Sequence, residues 1–115
     1  MRKTMGMKGT PVYLAPEALN GLFSEASDVY AFGMTVWEMY TRHRAYDDLP
    51  EDEVSLPDLL ERIVVQHLRP KVPEGCPLPL KSLIESCWAA NPDDRPTFTE
   101  LKNQLNVLVM EYITL

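Results

Sequence analysis

The stretch SEASDVYAFGMTVWEMYT, residues 24–41, carries the strongest structural signal in this chain. Its apolar residues recur at steps of three and four, which is the spacing of one face of an α-helix. The recurring residues are Val29, Phe32, Val36, Met39 and Tyr40. Other apolar residues fall on the remaining faces, and a helix that is apolar nearly all round is usually buried. Because Ser24 and Ser27 are both of a residue type that caps helix N-termini, we predict a central, buried helix over residues 23–41.

The segments on either side of this helix also predict helices and loops. Residues 57–68 and 79–90 each predict an amphipathic helix, and residues 97–112 predict a last helix. Residues 42–56 are polar and acidic and predict a loop, whereas residues 1–22 combine glycines and prolines with one short helical segment. No segment alternates between apolar and polar residues as a strand would. The sequence therefore predicts an all-α fold of about four to five helices with no sheet.

Composition excludes several classes of function. The 115 residues include 11 basic and 17 acidic side chains, a net charge of -6, which gives no electrostatic footprint for nucleic acid or an anionic membrane. The apolar run Val107–Met110 is far shorter than the roughly 20 residues of a membrane-spanning helix. Cys76 and Cys87 are too few for a disulfide framework, so we expect a reducing, cytoplasmic compartment. The two cysteines and two histidines lack the spacing of metal ligands, and we expect no metal site.

Three short motifs make a family assignment possible. They are GTPVYLAPE at residues 9–17, SDVYAFG at residues 27–33 and CWAANPDDRP at residues 87–96. In this order and spacing they resemble the end of the activation segment and everything downstream in a eukaryotic protein kinase. The resemblance runs from about Lys8 to about Val109. It implies the C-terminal part of the large lobe of a kinase domain, with the end of the activation segment and a short helix in residues 1–22.

Five residues have predicted structural roles, some from the resemblance and some from the chemistry of the residue itself. Glu17 and Arg95, which could otherwise be two unrelated surface charges, match a buried bidentate ion pair of the family. Asp28 opens the long helix, where a carboxylate is stabilised by free N–H groups, and in the family it accepts hydrogen bonds from the catalytic loop. Gly33 costs about 1 kcal/mol in mid-helix, so we expect another backbone to pack closely against it. Trp88 is expected in the core.

Substrate specificity is predicted from the residues just before the Ala-Pro-Glu triplet. Thr10 and Pro11 match the positions that shape the pocket for the residue following the phosphoacceptor. A threonine at this position is typical of serine/threonine kinases, with an ordinary turn residue as the alternative. The motifs at residues 27–33 and 87–96 instead resemble tyrosine kinases and tyrosine-kinase-like enzymes. A tyrosine-kinase-like kinase that phosphorylates serine and threonine, with tyrosine as a further acceptor, satisfies both observations.

The motifs that perform phosphoryl transfer are not among these 115 residues. The chain contains no Gly-x-Gly-x-x-Gly loop, no His-Arg-Asp string and no Asp-Phe-Gly string. We therefore expect a truncated kinase fragment with no catalytic, cofactor-binding or metal-binding residue, inactive by itself. ATP and Mg²⁺ are implied only for a complete parent kinase. The alternative is a non-catalytic helical module for protein interaction, derived from a kinase half-lobe.

The partners expected for this chain are proteins. They are substrates or regulators of a kinase, together with the missing N-terminal part of the kinase domain or a second copy of the chain. This expectation comes from the helices over residues 23–41 and 79–90, which in a kinase pack on helices that precede them. Without those helices their apolar faces meet water. We expect an isolated chain that is marginally stable, oligomeric or partly molten.

Overall fold

A computed structural model describes residues 12–49 and 53–114 of the chain. Within these ranges the α-helices are α1 (Glu25–Thr41), α2 (Leu56–Val64), α3 (Leu78–Cys87) and α4 (Phe98–Thr114). Two 3₁₀ helices precede α1 and α4 and span Pro16–Asn20 and Pro92–Asp94. The described residues contain no β-strand. The prediction of an all-α fold without a sheet is confirmed.

Helix α1 begins and ends at caps formed by the residues that flank it. The Ser24 hydroxyl oxygen accepts a hydrogen bond from the Ser27 N–H (3.4 Å), and the Ser27 hydroxyl oxygen accepts one from the Ser24 N–H (2.7 Å). This reciprocal pairing satisfies two amides that a helix start leaves free. The helix ends because Arg42 adopts a left-handed backbone conformation, with φ 63°, and donates its N–H to the Glu38 carbonyl.

The buried surface of α1 includes Val29 of the periodic face that the sequence predicts, extends beyond that face, and excludes its C-terminal residues. Tyr30, Met34 and Trp37 are buried, whereas Met39 and Tyr40 are 68% and 41% exposed. The difference arises from tertiary packing, because α1 makes its most extensive helix contact with α3. Val29 and Gly33 of α1 meet α3, and the C-terminal part of the predicted face stays in water.

The core consists of two groups of buried side chains. The larger group combines residues of the segment 12–18, α1, the loop after α1, α2, the connection from α2 to α3, and α3 with the residue that follows it. The smaller group joins α1, α3 and α4 through Val29, Leu83, Cys87 and Leu101. Because α1 and α3 both contribute to the two groups, they form the pair around which the other helices are arranged.

Several helix boundaries differ from the predicted ones. The helix predicted over residues 57–68 begins at Leu56, with Ser55 as N-cap, and ends at Val64. It ends early because His67 has a left-handed backbone, with φ 60°. The helix predicted over residues 79–90 spans Leu78–Cys87, and the last helix spans Phe98–Thr114 rather than residues 97–112.

The acidic loop predicted over residues 42–56 is partly packed on the core. Ala45 and Tyr46 are buried within it, and the Tyr46 hydroxyl donates a hydrogen bond to the Leu68 carbonyl (3.2 Å). Asp47 and Asp48, the next two residues, are exposed. The loop therefore turns its aromatic residue inward and its carboxylates outward.

Candidate functional site

The first feature of the site is an ion pair between the short helix at residues 16–20 and the loop before α4. Arg95 Nη1 donates to Glu17 Oε2 (2.7 Å), and Arg95 Nη2 donates to Glu17 Oε1 (3.1 Å). The Arg95 side chain is 0% exposed and the Glu17 side chain 17% exposed. Two parallel hydrogen bonds between a guanidinium and a carboxylate fix both the distance and the orientation of the two groups. The structure thus brings together Glu17 and Arg95, the two residues of the predicted ion pair.

Arg95 also donates hydrogen bonds to two backbone carbonyl groups. Its Nε donates to the Ala89 carbonyl (2.9 Å), and its Nη1 donates to the Ala26 carbonyl (3.0 Å) in the first turn of α1. The 3₁₀ helix at Pro92–Asp94, whose Asn91 side chain accepts from the Asp93 N–H, presents Arg95 at this position. A single guanidinium therefore connects the end of α3, the start of α1 and the segment that carries Glu17.

The electrostatic environment keeps Glu17 ionised. Burial opposes the charged form and by itself would raise the pKa of the Glu17 carboxyl. The hydrogen bonds from Arg95 and the positive charges of Arg95 and Arg69 outweigh this effect, so the pKa lies below its ordinary value. The pair is consequently charged on both sides at neutral pH.

Arg69, which lies in none of the sequence motifs, contacts the same aromatic ring as Arg95, that of Tyr30. The Cζ atoms of Arg69 and Arg95 are each 5.1 Å from the centroid of the Tyr30 ring. At this distance a guanidinium is attracted by the face of the ring. Arg69 sits in a proline-rich connection and Tyr30 lies within an apolar helix, so neither position carries a periodic signal that would have revealed the contact.

Gly33 lies where α1 and α3 approach most closely. A Cβ atom placed on Gly33 would be 2.5 Å from Cys87 Cβ and 3.4 Å from the Ile84 carbonyl oxygen. No side chain other than hydrogen fits at that distance without a shift of one helix. The neighbour is thus chiefly the Cys87 side chain, with the α3 backbone slightly further away. Burial raises the pKa of the Cys87 thiol to about 12, so this cysteine packs as a small apolar side chain.

The remaining residues that the sequence singled out have different surroundings. Trp88 is buried in the larger core group, directly after α3. Asp28 is exposed in the first turn of α1, and among residues 12–49 and 53–114 its carboxylate has no hydrogen-bond partner. Thr10 and Pro11 lie outside the residues that the structure describes.

A further polar contact, also not predicted, holds the segment before the Ala-Pro-Glu triplet. The Tyr13 hydroxyl lies near the Glu38 carboxylate of α1. Glu38 Oε2 accepts a hydrogen bond from the Ala45 N–H (2.6 Å). Burial, with the neighbouring Glu38 carboxylate, raises the pKa of Tyr13 to about 12. One carboxylate on α1 thus joins the residues after Pro11 to the loop that follows α1.

Side chains that could bind a metal ion are dispersed among the described residues. In the part of the chain that the structure describes, no three histidine, cysteine, aspartate or glutamate side chains are grouped so that they could hold a metal ion. The acidic residues beside Arg95, Asp93 and Asp94, line an open polar cavity rather than a cluster of ligands. None of the helices among the described residues is both long and apolar enough to cross a membrane. The site is therefore a set of structural contacts around Arg95, and no chemical step is assigned to it.

Comparison with known proteins gives the same identification. The family model of protein tyrosine and serine/threonine kinases matches residues 1–105. The chain is 39% identical over 107 residues to the dual specificity protein kinase shkA of Dictyostelium discoideum, covering 92% of this chain and 20% of that protein. It is also 39% identical over 105 residues to shkC of the same organism, covering 90% of this chain and 20% of that protein. A third relative, cyclic GMP-binding protein C of Dictyostelium discoideum, is 39% identical over 106 residues, covering 91% of this chain and 4% of that protein.

The chain spans a fifth or less of the length of these relatives. The match nevertheless extends over nearly all of the residues that form the helical fold, including Glu17, Gly33 and Arg95. The chain belongs to the protein tyrosine and serine/threonine kinase family.

Proposed function

We propose that this chain is the C-terminal part of the large lobe of a kinase that transfers phosphate from ATP to serine and threonine of proteins. The Gly-Thr-Pro string at residues 9–11 supports serine and threonine as acceptors. Two relatives are named dual specificity protein kinases, which supports tyrosine as a further acceptor. The substrates and regulators are proteins, and the proposed compartment is the cytoplasm.

The observation that carries this proposal is the bidentate contact between Glu17 and Arg95. It holds Glu17, six residues after Pro11, at Arg95, which also donates to Ala26 of α1 and to Ala89 after α3. A substrate-binding segment must be held in one geometry, because misplacement of a reacting group by about 1 Å can cost a hundredfold in rate. The proposed role of the chain is to supply this rigid support.

The proposal assigns ATP and Mg²⁺ to parts of the kinase domain that are not among these 115 residues. The motifs that place phosphates and metal ions in kinases are absent from the sequence. The chain by itself is therefore proposed to be inactive. It would complete its fold by packing on the N-terminal part of the kinase domain or, when isolated, on a second copy of itself.

The proposal can be tested by comparing the 115-residue chain with a kinase domain that contains it. We expect the complete domain, but not the chain, to transfer radiolabelled phosphate to serine- and threonine-containing peptides. Magnesium and ATP should raise the unfolding temperature of the complete domain and leave that of the chain unchanged. Phosphate transfer by the chain alone, or a complete domain without activity on any peptide, would contradict the proposal.

A further inference from the structure

The Arg69 side chain donates several hydrogen bonds, although it lies in none of the three sequence motifs. Its Nε donates to the carbonyl of Trp88, the residue that follows α3 (2.9 Å). Its Nη1 donates to the carbonyl of Ile63 in the last turn of α2 (3.2 Å) and to that of Leu68 (2.8 Å). Carbonyl groups at helix C-termini lack partners within the helix and favour a cation. One guanidinium thus joins the C-terminal ends of α2 and α3.

The same guanidinium contacts α1 through an aromatic ring. Arg69 Cζ lies 5.1 Å from the centroid of the Tyr30 ring, and Arg95 Cζ lies at the same distance. Tyr30 is completely buried, and its hydroxyl has no hydrogen-bond partner among the described residues. The face of the ring, rather than its hydroxyl, therefore makes these contacts, and a cation–π contact is strongest where water is excluded.

These contacts form a continuous path to the activation segment. Arg69 contacts Tyr30, Tyr30 contacts Arg95, and Arg95 holds Glu17 in two hydrogen bonds. The charge of Arg69 also reaches Glu17. Burial raises the pKa of Glu17, and Arg69 is among the groups that lower it again, together with Arg95.

We propose that Arg69 is a positioning residue for the protein substrate: through Tyr30 and Arg95 it fixes the end of the activation segment at Glu17. The inference rests on the proposed kinase function, since only a working kinase uses that segment to receive a substrate. Lysine cannot replace Arg69, because an ammonium group has no planar fork that spans carbonyls of two helices while lying against a ring.

The first test measures Glu17 directly and requires no catalytic activity. The side-chain carboxyl carbon of Glu17 is followed by ¹³C NMR as the pH is lowered, in the complete kinase domain without substitution and in its Arg69→Met, Arg69→Lys and Lys71→Met variants. We expect the midpoint of the Glu17 titration to move to higher pH in Arg69→Met and, to a smaller extent, in Arg69→Lys. Lys71→Met is the matched control, because it removes one positive charge from an exposed side chain two residues away.

Each outcome of this titration either supports the role of Arg69 or overturns it. A Glu17 midpoint that is unchanged in every folded Arg69 variant overturns the inference. If Arg69→Met does not fold, Arg69→Lys alone decides in the same way. A midpoint that moves equally in Lys71→Met also overturns it, because the effect would then follow from net charge rather than from the contact path.

The second test measures substrate binding in the complete kinase domain. We expect Arg69→Lys to raise the KM for a peptide substrate roughly fivefold, because the substitution weakens positioning of the peptide and not of ATP. The KM for ATP should change less than twofold. Lys71→Met should change neither. Equal increases in both KM values, or no increase for the peptide, overturn the inference. If the unsubstituted domain transfers no phosphate, the proposed kinase function fails, and the titration still decides whether Arg69 acts on Glu17.

Discussion

At the scale of single residues, the site is organised by a guanidinium whose nitrogens are all used. Arg95 donates from Nε to Ala89, from Nη1 to Ala26 and Glu17, and from Nη2 to Glu17. A buried charge that loses its counter-ion keeps its desolvation penalty without compensation. The stability of this region should therefore depend strongly on the presence of the Glu17 carboxylate.

We expect Glu17→Ala to lower the free energy of unfolding by about 3 kcal/mol, because the substitution leaves the buried Arg95 guanidinium without its carboxylate. Urea unfolding followed by circular dichroism measures the change. Glu74→Ala, which removes an exposed glutamate in the connection before α3, is the control and should change the free energy by less than about 0.5 kcal/mol. Equal losses for the two variants would contradict the role of the pair.

The lowered pKa of Glu17 also predicts how stability varies with pH. A carboxyl whose pKa is lower in the folded state contributes stability above its ordinary pKa of 4.5 and loses that contribution as the pH falls through its folded-state value. We expect the free energy of unfolding to decline below about pH 4.5, and the decline to be smaller in Glu17→Gln, which cannot titrate there. Urea unfolding at a series of pH values measures this difference. Parallel pH profiles for the two proteins would show that Glu17 does not contribute.

At the scale of secondary-structure elements, the contact between α1 and α3 explains a glycine in the middle of a helix. The sequence predicts that another backbone packs against Gly33, whereas the structure places the Cys87 side chain nearest, with Cys87 Cβ 2.5 Å and the Ile84 carbonyl oxygen 3.4 Å from the position of an added Cβ. Periodicity could not identify this neighbour, because the pairing of α1 with α3 is a long-range contact. For the same reason the sequence assigned Met39 and Tyr40 to the buried face of α1, although both are exposed.

We expect Gly33→Ala to destabilise the protein by a net of up to about 2 kcal/mol, because overpacking a core usually costs about 1–3 kcal/mol. This cost should exceed the roughly 1 kcal/mol that alanine contributes to a helix over glycine. Thermal or urea unfolding measures the balance, with Thr35→Ala, at an exposed position of the same helix, as control. Stabilisation by Gly33→Ala would mean that α1 and α3 are further apart than the structure places them. The double variant Gly33→Ala/Cys87→Gly should recover part of the lost stability, because it removes the Cys87 Cβ atom that overlaps with the added Cβ atom at position 33.

At the scale of the whole molecule, apolar side chains remain on the outside of the helices. Large exposed ones occur before α1, at the end of α1, at the start of α3 and along α4, including Leu22, Phe23, Met39, Leu78 and Val107. Extensive exposed apolar surface usually marks a contact with another protein or domain. This distribution supports the proposal that the chain packs against another part of a kinase domain.

We therefore expect the isolated 115-residue chain to bind the dye 1-anilinonaphthalene-8-sulfonate and to unfold over a broad temperature range, as loosely packed states do. The complete kinase domain, in which these surfaces would be covered, should bind less dye per molecule and unfold more sharply. Dye fluorescence and calorimetry provide the two measurements. A chain that binds no dye and unfolds in one sharp transition would contradict the expectation.

The sequence by itself determined the helical class, the approximate order of the helices and the kinase family, because these depend on local periodicity and on motifs that are contiguous in the chain. It also indicated Glu17 and Arg95 as partners, though only through the motifs that surround them. Only the tertiary structure decided that Arg69 and Arg95 lie on the same Tyr30 ring, that Glu38 joins Tyr13 to Ala45, and which face of α1 is buried. Most of these contacts join residues far apart in the chain, and they depend on how the helices pack, which no local pattern records.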